Sequence, residues 1–405
     1  MQVASTTFFS QNSGEQLSFT EQPPISPLIT ELKAAIAQDL APQVQKIDEE
    51  GYYPREFMHR VGALGGFGQA VAREHGGFGQ GLRSAIQVIE AISEECLCTG
   101  FMTWCQIACT WYMQNSENAY LKTHLLPQVA KGKVLGGTGL SNPMKHFAEI
   151  EKIALVARRE PGGYRLNGLL PWVSNLGEGH PFGIAAQIAG SNEYLMAIVS
   201  DDLEGLSLRH TARFIALEGS GTFSCIFKDV FVPDHLILAA PSDTYVNQIR
   251  PGFILTQVGM GLGLVAGCID VILQYRSRLG HTNCFLDDQA EDLAAELAIA
   301  RLKTYTLADT LSQLQGEVTT DLLREVVQAR LTGSELSLRA ANAAMLHAGA
   351  RAYLQGSKPS RRLREAYFVA IVTPAIKQLK QMLRQLEHRD SFKGKLKSVA
   401  NHRNS

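Results

Sequence analysis

The chain has 405 residues, 45% of them hydrophobic and 19% charged, with 38 Lys and Arg against 39 Asp and Glu for a net charge of −1. That balance fits a folded protein of about two or three domains, and it excludes a disordered chain, a collagen-like repeat and a disulfide scaffold. With neither sign in excess, a charge-driven grip on nucleic acid or on an anionic membrane is disfavoured.

The first 26 residues hold no Lys or Arg; Lys33 is the first. A secretory signal wants a basic start and a mitochondrial presequence wants arginines. Residues 1–26 therefore read as a flexible leader, and cytoplasmic location is the default expectation. No uninterrupted apolar run reaches the ~18 residues of a membrane helix. From Pro27 the signals are helical: Leu32, Ile36 and Leu40 share one face, and Ile86, Ile89 and Ile92 share another. Between them, glycines at 62, 65, 66 and 68 and at 76, 77, 79 and 81 mark loops. Phe101 to Met113 reads as a buried helix.

After about Gly132 short β-type runs alternate with turns: Ile153–Glu160, the turn Pro161-Gly162-Gly163, then FGIAAQIAG, YLMAIVS and FSCIFKDVFVP. Strands without intervening helices predict an antiparallel sandwich or barrel. Helical periodicity returns after Ile249. Gly252 to Tyr275 is long and apolar, and Gly259, Gly261, Gly263 and Gly267 permit close helix contact. Residues 290–314 and 321–350 are strong helix formers. A last helix from Arg361 to Leu386 is interrupted by Pro374. The expected division is a helical domain over 27–135, a β domain over 136–243, a helical bundle over 244–388 and a basic, polar tail over 389–405.

The seven cysteines form no C-x-x-C. Cys105 and Cys109 lie one helical turn apart without a histidine at ligand spacing. They read as buried thiols in a reducing compartment, with no metal site.

Five segments in order carry a resemblance. They are the stretch DLAPQVQKIDEEGYYPREFMHRVGALGGFGQAVAREHGGFG, LLPQVAKGK at 125–133, GTGLSNP at 137–143, GYRLNGLLPWVSN at 163–175, and FKDVFVP at 227–233. Together they resemble the acyl-CoA dehydrogenase superfamily, from about Pro27 to Leu386. The resemblance implies that family's fold: a helical N-terminal domain, an antiparallel β-sandwich or barrel in the middle and a C-terminal four-helix bundle. It also implies FAD, with FMN as the alternative, and assembly as a homodimer or homotetramer. Trp172 falls where the family walls the flavin, and Ser174 where a Thr hydroxyl reaches its N5. Leu140 and Ser141 fall at its pyrimidine edge. Arg276 falls at the phosphate-contacting Arg, in a part of the site shared with a neighbouring subunit, and Gln289 at the next Gln if the loop is long. Gly349 is what remains of the family's Q-x-x-G-G-x-G-Y.

The chemistry departs from the pattern. The family's catalytic Glu positions read Thr373 and about Phe253 here, and a threonine hydroxyl is too weak a base at neutral pH. The substrate loop, Ser141 to Ala148, lacks the family's G-S-D and carries Lys145 and His146, candidates for an anionic substrate. The catalytic base is therefore unassigned. His347 is a weak candidate, as are Cys105 and Gln106, and His388 lies beyond the last helix. Three functions follow from the resemblance. The first is a flavin-dependent oxidoreductase that oxidises an acyl thioester or a related small substrate. The second is a monooxygenase fed by a flavin reductase, and the third is a non-catalytic relative.

Overall fold

A computed structural model describes residues 26–387. The leader up to residue 25, the tail over 389–405 and His388 lie outside the described residues.

Six helices come first: α1 (Pro27–Ala35), α2 (Val44–Glu49), α3 (Arg55–Ala63), α4 (Gly81–Glu95), α5 (Leu97–Asn115) and α6 (Leu126–Ala130). The periodic residues of the sequence are core residues: Leu32, Leu40, Ile86, Ile89 and Ile92 are fully buried. Strand β1 (Gly137–Thr138) and the short helix α7 (Ser141–Phe147) lead into the sheet. Its other strands are β2 (Leu155–Glu160), β3 (Gly163–Val173), β4 (Phe182–Ile188), β5 (Tyr194–Val199), β6 (Leu206–Arg209), β7 (Phe223–Pro233) and β8 (Ile237–Ala239). They form one connected eight-stranded sheet with its own apolar core around Leu155, Leu166, Phe182 and Phe227.

The spatial order is β6-β7-β3-β2-β4-β5-β8. β2 and β3 form a hairpin across the Gly162 turn, and β4 returns on the far side of β2. It therefore runs parallel to β2, and β1 is also parallel to β4. The expectation of a purely antiparallel β domain is corrected at these two pairs; the sheet is mixed.

The chain then returns to helix: α8 (Asp243–Thr256), α9 (Val258–Asn283), α10 (Ala290–Gln313), α11 (Thr320–Ala348) and α12 (Lys358–Ile371), with a final helix over 376–387. Pro374 sits in the break between the last two, because it has no N–H to give and its ring clashes with the preceding turn. The segment Asp243–Asn283 is long and apolar enough by length and composition to span a bilayer, although Thr256, Gln257 and Asp270 interrupt its apolar run. However, 89% of its most apolar 18-residue window is buried inside the protein, so its faces are satisfied by other helices.

The contact of α9 with α4 is unusually close. A Cβ on Gly263 would run into the Glu90 carbonyl oxygen, and one on Gly267 into that of Glu94. The last carbonyls of α4 are capped from α12. Arg361 donates to Glu95 O at 3.1 Å, while Arg362 donates to Ser93 O at 3.1 Å and also to Glu94 O. Cations at a helix C-terminus oppose the negative end of its dipole. Glu365, equally buried, bridges both guanidiniums at 2.9 and 3.1 Å. Gly263→Ala should lower unfolding stability by about 1–3 kcal/mol, because the added methyl meets backbone rather than a side chain that can move. Urea titration checks this; an unchanged midpoint would show that α4 and α9 can part at little cost.

Candidate functional site

Trp172 lies near the end of β3, the sheet's long central strand. Leu170 and Val173 are both buried, and the β-bulge between them breaks the strand's alternation and leaves the indole outward. It is 54% exposed, and its ring meets Phe214 edge-to-face at 6.3 Å. Arg364 of α12 fixes the loop bearing Phe214 and Ile215, donating to Ile215 O at 2.6 Å and to both oxygens of Asp48 at 2.8 and 2.6 Å. Ile215 is exposed, as are Tyr367 and Ile371 on α12. Trp172, Phe214 and Ile215 thus form an open apolar platform at the sheet, and α12 exposes apolar side chains of its own.

Beyond Trp172 the chain turns sharply at Asn175, whose φ is +61°. Asparagine tolerates this left-handed conformation better than most residues. Its amide donates to Gly136 O at 2.6 Å and its carbonyl accepts from Tyr53 at 2.7 Å. Ser174 is nearly buried, and its hydroxyl lies 2.7 Å from that of Thr222, which lies 2.8 Å from that of Ser220. On the neighbouring strand Thr138 is 2.7 Å from the Tyr112 hydroxyl. Burial holds the Tyr112 phenol well above its ordinary range, so it stays neutral.

Leu140 is buried and precedes α7. The segment expected as a substrate loop is therefore a helical turn. Asn142 closes it, accepting from Ala154 N at 2.8 Å and donating to Lys152 O at 2.9 Å. Lys145 pairs with Glu151 at 3.5 Å, and His146 meets the Tyr194 hydroxyl at 2.8 Å. Both candidates for an anionic substrate thus have local partners.

Ser141 and Thr373, 232 residues apart in sequence, bring their hydroxyls to 3.1 Å. The Thr373 carbonyl accepts from Gln257 at 3.0 Å, and the Gln257 carbonyl accepts from Arg330 at 2.9 Å. Arg330 is fully buried and also donates to Val369 O at 2.8 Å and to the Ser334 hydroxyl. Burial lowers its pKa to about 10, which leaves it charged at neutral pH. Sequence reasoning missed Gln257 and Arg330. The available signal was a charge on the apolar stripe of α11, where Arg330 shares a face with Val326, Val327 and Ser334.

Phe253, at the second family Glu position, is 3% exposed. It packs edge-on against Trp104 at 5.1 Å and lies beside Tyr112 at 6.2 Å. The cavity between α7 and α8 at this point, lined by Leu140, Met144, Phe147 and Phe253, is about 10 Å³, barely the room of one water.

The remaining candidates are elsewhere or occupied. His347 is buried near the end of α11 with Nε2 2.9 Å from Asp288 O, and it stands roughly 25 Å along the helix from Arg330 at 1.5 Å per residue. Gly349 follows as the C-terminal cap of that helix, with φ +60°. Arg276 is exposed and pairs with Glu291 at 2.7 Å, ~28 Å down α9 from Gln257. Gln289 bonds to Asn283 O and Leu286 O. Gln106 spends its amide on structure, donating to Val129 O and Val134 O and accepting from Gly136 N. Cys105 is buried and its thiol is pushed well above the ordinary range, away from thiolate chemistry. Among the described residues no three His, Cys, Asp or Glu side chains gather as a metal site.

Residues 27–133 match the model of the acyl-CoA dehydrogenase N-terminal domain. Along most of its length the chain is 25% identical to the probable acyl-CoA dehydrogenase YngJ of Bacillus subtilis, covering 82% of this chain and 90% of that one. The N-terminal region is thus of the acyl-CoA dehydrogenase type, and the relatives that match most of the chain lie in the same superfamily. The fold of the chain matches a glutaryl-coenzyme A dehydrogenase in complex with glutaryl-CoA, with a TM-score of 0.81 at 22% identity over 91% of this chain and 96% of that one. It also matches an acyl-CoA dehydrogenase complexed with FAD from Bacillus anthracis, with a TM-score of 0.79 at 17% identity over 92% and 68% of the two chains.

Six of the seven cysteines are buried and Cys284 is exposed. Burial pushes the Cys109, Cys225 and Cys268 thiols up to about 12. A thiol-specific disulfide reagent at pH 8 should therefore titrate one thiol in the native protein and seven after denaturation. More than one fast-reacting native thiol would contradict this packing.

Proposed function

We propose that the protein is a flavin-dependent oxidoreductase of the acyl-CoA dehydrogenase type, acting on an acyl thioester or a related small substrate. The observation that carries this reading is the exposed face of Trp172. A large indole on an outward strand position, beside the exposed Phe214 and Ile215, fits one face of a flat aromatic ring. The same residues suit FAD, with FMN as the alternative. Trp172 would stack on the ring, Ser174 would offer a hydroxyl at its edge, and Leu140 and Ser141 would border its pyrimidine side. When bound, a flavin supplies two-electron redox chemistry that no side chain can.

Arg276 and Gly349 stand far along α9 and α11 from Gln257 and Arg330. This separation supports the view that they serve the phosphate and adenine end of a cofactor lying across two copies of the chain, in a homodimer or homotetramer.

A dehydrogenase must also take a proton from its substrate. Between Val246 and Cys268 the chain offers no carboxylate, and position 373 offers only a hydroxyl. That observation favours a second reading, a monooxygenase of the same fold that takes reduced flavin from a reductase. The closed space beside Phe253 favours a short substrate chain over a long one under the first reading.

An absorption spectrum of the fresh protein, followed by titration with FAD and FMN, tests the flavin reading. Anaerobic bleaching of bound flavin by a short-chain acyl-CoA supports the dehydrogenase. Oxygen uptake that requires an added flavin reductase supports the monooxygenase. A protein that binds neither flavin is a non-catalytic relative. Trp172→Ala should weaken flavin binding by roughly 1–3 kcal/mol while leaving the urea midpoint nearly unchanged, because the indole is half exposed. Equal affinity in the variant would remove Trp172 from the site.

A further inference from the structure

Arg330 is a buried cation that meets only neutral groups. Its bonds go to the Gln257 side-chain carbonyl, the Val369 carbonyl and the Ser334 hydroxyl. Among the described residues no carboxylate pairs with it, and burial alone accounts for its lowered pKa. The other two fully interior arginines are arranged differently: Arg361 and Arg362 share Glu365. An arginine stays protonated in such a place, and its charge is poorly screened there. Dipoles of neutral partners offset part of the cost of burial, but a full negative charge would offset more.

The polar connections from Arg330 lead one way. They pass through Gln257 to the Thr373 peptide, and the Thr373 hydroxyl meets that of Ser141 on α7. Thr373 is nearly buried, and Ser141 is half-buried, at the edge of the site. The chain thus carries a fixed positive charge, with no negative partner of its own, behind the hydroxyl pair that stands where the family places its base. A staple between α9, α11 and α12 would need the hydrogen bonds but not the charge.

We propose that Arg330 is a positioning residue whose uncompensated charge, relayed through Gln257 and Thr373, makes the site prefer the reduced, anionic form of a bound flavin over the oxidised form. This inference rests on the flavin reading above and deepens it, because it assigns the redox state that the protein holds most tightly. Reduction adds negative charge to the ring, and a nearby positive charge favours the state that carries it.

The test measures dissociation constants of the full chain for oxidised FAD and, anaerobically, for dithionite-reduced FAD. The wild type should bind reduced FAD the more tightly. Arg330→Met should cut that preference by about tenfold, as expected for removing a unit charge at this range in a partly screened interior. Arg330→Lys, which keeps the charge, should retain most of it. Gln257→Glu is the second variant in case Arg330→Met does not fold. It preserves shape, gives the guanidinium a carboxylate, and should lower the preference in the same direction. A preference unchanged within about twofold in Arg330→Met and Gln257→Glu overturns the inference and leaves a structural staple. An equal loss in the Lys and Met variants overturns it too. Wild-type protein that binds neither form removes the flavin reading itself, and this inference with it.

Discussion

The contact of α4 with α9 sets the rest of the molecule. It brings two helix backbones together where any side chain on Gly263 or Gly267 would strike a carbonyl of α4. Once α4 lies there, its last carbonyls emerge beside α12, and Arg361 and Arg362 can reach them. Those two arginines need Glu365 between them, because two buried guanidiniums repel unless a carboxylate is shared. With α12 held at this point, its end delivers the Val369 carbonyl and the Thr373 peptide to Arg330 and Gln257. The backbone geometry of a glycine stripe is thereby converted into the position of a hydroxyl at the candidate site.

The second determinant is the way the sheet is joined to the helices. Arg364 of α12 grips both Asp48 of α2 and the loop that carries Phe214 and Ile215. Asn175 ties the end of β3 to Tyr53 and Gly136. Both ends of the Trp172 platform are therefore fixed by groups from the helical regions. These attachments are largely polar, and they seat apolar side chains that remain open to solvent.

Much of the fold was legible in the sequence because its signals were local. FSCIFKDVFVP is β7 residue for residue, and the helices near 290–314 and 321–350 differ by one or two positions. Strand direction was not legible, since β4 pairs with β2 only after the chain has passed around it. The candidate site divided in the same way. Trp172, Ser174 and Ser141 sit in short motifs and could be named. Their contacts could not: Ser141 meets Thr373 across 232 positions, and Gln257 meets Arg330 across 73. The turn at α7 was hidden because it depends on Asn142 reaching forward to residues 151–154, which no helical periodicity encodes.

The disposition of sulfur has a consequence for the protein's working life. Peroxide attacks thiolates, and the route to sulfinic and sulfonic acids is closed while the thiol stays protonated and covered. The interior cysteines, held far from ionisation by their apolar surroundings, satisfy both conditions. Any reduced cofactor that leaks electrons to dioxygen at the Trp172 platform would release its peroxide beside a scaffold with almost no thiolate to oxidise. Cys284, exposed past the end of α9, is the cysteine where such damage would first be recorded.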